Sequence, residues 1–61
     1  MNNKWIDKGF DYLMTIRSNH LDEPSEEYLT SCLHDYLRNQ GLSNDLTDEI
    51  IGEIMNLYRT L

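Results

Sequence analysis

Sixty-one residues, spanning 1–61, allow one small domain, with eleven acidic side chains against five basic ones and a formal net charge of −6. Such a chain buries only about 60% of the surface its extended form exposes, so a net stability of roughly a few kcal/mol is expected. The lone Cys32 excludes an internal disulfide and a CxxC-type zinc site, and no apolar run is long enough for a signal peptide or a bilayer span, which makes a soluble, cytoplasmic protein the expectation.

The first helix is expected over about 4–18. Ile6, Phe10, Leu13 and Arg17 follow three- and four-residue steps, and Trp5, Tyr12, Met14 and Ile16 widen the apolar surface. That girth suits packing against two other helices, or packing plus a face left for a partner. Gly9 weakens a helix by about 1 kcal/mol relative to Ala, and close approach of another helix is its simplest justification. Asn19 to Pro24 reads as a connection. Pro24 restricts the residue before it, Ser25 can cap the next helix, and Asp22 is an alternative cap.

The second helix is expected over about 26–40, with Glu26 and Glu27 favourable in its first turn. Leu29, Cys32, Leu33, Tyr36 and Leu37 form one stripe, while Thr30, Asp35, Arg38 and Asn39 face away. Cys32 within that stripe reads as a small core residue. Gly41 stands where a left-handed residue ends a helix. Leu37 and Leu42 then occupy the two positions whose apolar contact completes a Schellman motif.

The third helix is expected over about 44–60, capped by Ser43, with Thr47 as an alternative start. The longer version keeps Leu46, Ile50, Ile54, Leu57 and Leu61 in one stripe, broadened by Ile51, Met55 and Tyr58. Gly52 can mark a second tight contact. Three such helices with short connections define an all-α, compact three-helix domain.

Two connected helices with Gly41 between them invite a helix-turn-helix reading. The charge opposes it. Asp45, Asp48, Glu49 and Glu53 populate the helix that would enter the groove, and only Arg59 is basic there. Direct nucleic-acid binding is therefore not expected. The same acids permit the reverse role, a phosphate mimic occupying a basic groove of another protein, as do Asp22, Glu23, Glu26 and Glu27. Their simpler explanation is that acids suit first helical turns and solvated faces.

Cys32 and His34 are two residues apart on a helix and diverge, so neither a metal site nor a Cys–His catalytic pair is expected. Carboxylate neighbours such as Asp45 and Glu49, or Glu49 and Glu53, share a face without forming a cleft. No phosphate loop, HExxH pattern or nucleophile elbow occurs. The expectation is no enzyme and no cofactor.

What remains is binding. Trp5, Tyr12 and Tyr28 are interface candidates because Trp and Tyr combine an apolar body with a polar tip, whereas Phe10 and Tyr36 read as core. Asp45, Asp48, Glu49 and Glu53 are the candidates for a basic partner. The leading expectation is a small regulatory or adaptor protein that binds, and can inhibit, a larger protein. The alternatives are the acidic nucleic-acid mimic and a structural homodimer using surplus apolar surface of the first and third helices. No membrane contact is expected.

Overall fold

The computed structural model describes residues 3–61. Three helices run in chain order: α1 Asn3–Ser18, α2 Glu26–Asn39 and α3 Asn44–Arg59. Each packs against both others, so the chain is an all-helical, compact three-helix domain with no strand among the described residues. The Cα radius of gyration, 10.9 Å, lies close to the roughly 10.5 Å of a compact chain this long.

Local chemistry sets the helix ends. Ser25 has extended backbone geometry, and its Oγ accepts a hydrogen bond from the Tyr28 N–H at 3.2 Å. Ser43 does the same for Leu46, also at 3.2 Å. Each hydroxyl satisfies one of the backbone donors a helix start leaves open. Asp22 and Thr47 are therefore not the caps. Gly41 adopts φ +92°, the Leu42 N–H donates to Leu37 O at 3.4 Å, and the Gly41 N–H donates to Arg38 O at 3.0 Å. This is the Schellman end expected of that sequence, with Leu37 and Leu42 both buried.

The core comprises Leu13, Leu29, Leu33, Leu37, Leu42, Ile50, Ile54 and Met55. Among the described residues of α1, Leu13 is the only fully buried large side chain; Trp5, Ile6, Phe10, Tyr12, Met14 and Ile16 are half-buried and lie over the core. On α3 the buried set is Thr47, Ile50, Ile54 and Met55, rotated from the expected stripe. Leu46 is half-buried, Leu57 is 48% exposed and Leu61 is 73% exposed. Cys32 is likewise half-buried rather than in the core. An apolar face wider than its neighbours can cover leaves one edge wet, and periodicity does not say which.

The glycines separate by environment. A Cβ built on Gly9 would overlap Ile54 Cδ1 and touch Leu33 Cδ2 at 3.7 Å, so the close helix approach expected there is present. Gly52 is exposed and has nothing within 4 Å of a built Cβ, which overturns the expected tight contact. Gly52→Ala should accordingly stabilise the fold by about 0.5–1 kcal/mol through helix propensity alone. A denaturant midpoint at or below that of the unsubstituted protein would refute this.

Polar groups fasten the α1–α2 connection to the end of α3. Glu23 Oε1 accepts hydrogen bonds from Arg17 Nη2 and from the Tyr58 hydroxyl, both at 3.4 Å. The Arg17 guanidinium also lies 5.6 Å from the Tyr58 ring centroid. Arg59 grips Glu26 through Nε at 3.2 and 3.3 Å and through Nη2 at 2.8 Å. That hydrogen bonding holds the Glu26 carboxyl below its ordinary pKa of 4.5 and raises Arg59. A depressed carboxylate stabilises the fold above its unfolded pKa, and the contribution fades as pH falls through the folded value, on the acid side of 4.5.

Candidate functional site

The side chains singled out for binding fall on two different sides of the domain. One is the seam between α1 and α2, which run antiparallel there. Tyr12 and Tyr36 stack with ring centroids 4.3 Å apart and an interplanar angle of 12°. Farther along the seam, His20 meets Tyr28 edge-on at 5.2 Å and 72°. Tyr28 is 46% exposed, and its pKa is raised above the usual 10.0, first by side-chain hydrogen bonding with Cys32. The negative charge that Cys32 and Tyr12 would carry when ionised acts in the same direction. Tyr12, Tyr28, Cys32, Tyr36 and His20 thus form one continuous strip.

Trp5 occupies the same side of α1 about two turns before Tyr12. Its ring is half-buried, with Lys4 Nζ and Lys8 Nζ each 5.4 Å from the centroid. Two cations flank this ring, whereas Tyr28 has His20, Cys32 and Tyr12 as its neighbours. The structure therefore brings Tyr12 and Tyr28 into one patch and sets Trp5 at its far end. Tyr36, expected as core, is half-buried and belongs to the strip through its stack. His20 and Leu21 also belong to this region. Periodicity could not single them out because they lie in the connection, outside any helical repeat. Leu21 is fully exposed.

The second side is α3. Asp45, Asp48, Glu49 and Glu53 are all exposed, and among the described residues none forms an ion pair. They do not converge. Asp48 lines a groove of about 380 Å³ between α2 and α3 with Glu27, Asp35, His34, Thr30, Ser31 and Ile51. Glu53 lines a cleft of about 450 Å³ between α1 and α3 with Ile6, Asn56, Leu57 and Thr60. Asp45 and Glu49 stand on the ridge between them. The earlier acids behave differently, because Glu23 and Glu26 are held by Arg17 and Arg59.

Cys32 and His34 end on opposite sides of α2, one on the aromatic strip and the other in the α2–α3 groove. Among the described residues no three of His, Cys, Asp and Glu are placed to hold a metal ion, and no helix is long and apolar enough to cross a membrane. No family model matches the sequence, and it has no significant match among curated proteins or solved structures.

Proposed function

We propose that this chain is a small regulatory or adaptor domain that binds a larger protein through the aromatic seam of α1 and α2, without catalytic activity of its own. The observation that carries this reading is Tyr28. It is a large amphipathic side chain left 46% exposed, continuous with half-buried Tyr12, Cys32 and Tyr36. Buried aromatic anchors surrounded by near-neutral contacts are the usual energetic centre of protein interfaces. Tyr28 combines exposure with a rigid support from His20 and the helix beneath it, so little side-chain freedom is lost on binding.

Tyr28→Ala is the clean test, because the substitution removes exposed surface and leaves the Ser25 cap bond to the Tyr28 backbone intact. In quantitative capture from an extract of its source cell, it should reduce recovery of the bound protein on the order of tenfold. Helical content and thermal midpoint should stay unchanged. Capture at full strength by Tyr28→Ala would end this assignment. Tyr12→Ala is less informative because Tyr12 also stacks on Tyr36 and covers the core, so it lowers stability as well as binding.

A second reading draws support from the unpaired acids of α3. A nucleic-acid mimic acting through them should lose its partner in the double substitution Asp45→Asn with Glu49→Gln and retain it in Tyr28→Ala. The apolar side of the α1–α3 cleft, where Ile6 meets exposed Leu57, supports a homodimer instead. Mass in solution across a concentration series separates that outcome from the other two.

A further inference from the structure

We infer that the end of the α1–α2 connection is an anchoring knob, with Leu21 as its tip, that seats in an apolar pocket rimmed by Lys or Arg on the partner protein. This deepens the binding function proposed above and rests on it. Leu21 is fully exposed and contributes nothing to the core. A solitary exposed leucine needs no explanation by itself. This one, however, is next in sequence to His20, which packs edge-on against exposed Tyr28, so the tip, the imidazole and the phenol project from one end of the domain.

The base of the knob is fastened. Just beyond Leu21, Glu23 receives the Arg17 guanidinium and the Tyr58 hydroxyl, and Glu26 receives Arg59. On the other side, the Asn19 N–H donates to Thr15 O at 3.2 Å and the His20 N–H to Arg17 O at 3.3 Å. Leu21 is thus carried on a short bridge tied at both ends, which reduces the ordering loss on docking.

The charges around the knob choose the partner. Asp22, next in sequence to Leu21, is exposed and forms no ion pair among the described residues, while the cations Arg17 and Arg59 are already engaged by Glu23 and Glu26. The field at the tip is therefore negative. It opposes an anionic bilayer and a nucleic acid, and it opposes seating in the α1–α3 cleft of a second copy, where Glu53 lines the wall. A pocket with apolar walls and a cationic rim satisfies both the leucine and the Asp22 carboxylate beside it.

The test places a photoreactive benzophenone amino acid at exposed Asn19 of the full chain, irradiated in source-cell extract, beside the same chain carrying Leu21→Ser and beside a chain labelled at Asp45. The expected adduct from Asn19 is a protein cross-linked within an apolar segment flanked by Lys or Arg, and it disappears with Leu21→Ser. With that protein purified, Leu21→Ser should weaken affinity on the order of ten- to a hundredfold, the range for losing one buried leucine. Asp22→Asn should reduce the salt dependence, and circular dichroism should be unchanged in both variants. An adduct only with a second copy, only with lipid, or with nothing overturns the proposal, as does unchanged affinity of Leu21→Ser. If affinity survives Leu21→Ser but falls with Tyr28→Ala, the seam stands and the knob does not. If neither substitution changes binding, both are lost.

Discussion

Gly9→Ala should destabilise the protein by about 1 kcal/mol, yet the same substitution should stabilise it by about 1 kcal/mol when Ile54 is Val. An alanine at position 9 gains roughly 1 kcal/mol of helix propensity in either background. In the unsubstituted core its methyl meets Ile54 Cδ1, on a side chain that is completely buried and has no solvent side to turn toward. Overpacking of that kind costs about 1–3 kcal/mol, more than propensity returns. Valine lacks Cδ1, the one atom that overlaps, while Ile54 Cγ1 lies at an ordinary 3.7 Å from the built Cβ. Ile54→Val alone should lose about 0.5–1.5 kcal/mol by leaving space, and the alanine methyl then occupies part of that space. Denaturant melts of the four proteins in the cycle should give a coupling of about 2 kcal/mol. A coupling near zero would show that Ile54 turns aside freely and that α1 and α3 do not need glycine to approach.

The same glycine shows what the sequence could and could not convey. Helix ends were legible because their chemistry is local. Ser25 and Ser43 sit one residue before their helices, and Gly41 stands between Leu37 and Leu42 at the spacing a Schellman end requires. Gly9 and Gly52, by contrast, look alike in sequence, each inside an apolar helix, and their reasons differ entirely. The difference lies in residues far along the chain, which no local pattern contains. The wide stripe of α3 posed the same problem. Leu46, Leu57 and Leu61 fit a helical repeat as well as Ile50 and Ile54 do, but the position of α1 and α2 turns the helix toward Thr47 and Met55.

The candidate surface was legible to a smaller extent. Tyr28 stood out because a tyrosine combines an apolar body with a polar tip suited to an interface, and it is exposed. Its connection to Tyr12 and Tyr36 required the antiparallel register of α1 and α2, which brings together residues from separate helices. Leu21 left no signal, since a leucine in a connection belongs to no repeat. The acids of α3 were visible as a charge run, but their division between two grooves depends on which helices flank them.

Thr47→Val should raise stability by about 1–2 kcal/mol, a large gain for a protein whose net stability is of similar order. Thr47 is fully buried, and its Oγ1 has no hydrogen-bond partner. In the unfolded chain that hydroxyl is hydrated; on folding it surrenders water without compensation, a loss of about 1–3 kcal/mol for a neutral group. Valine keeps the branched shape, replaces the hydroxyl by a methyl of nearly the same size, and has nearly the same helix propensity. The backbone bond from Thr47 N–H to Ser43 O at 2.9 Å is unaffected, so the start of α3 is preserved. Thr47→Ser provides the opposite change, retaining the hydroxyl and deleting the methyl, and should destabilise. In a domain this small, 1 kcal/mol moves the thermal midpoint by about 4–8 °C, so melting curves resolve the order Val above Thr above Ser. If valine instead melts at or below threonine, the hydroxyl is bonded in the folded protein, and position 47 is held by polarity rather than by shape.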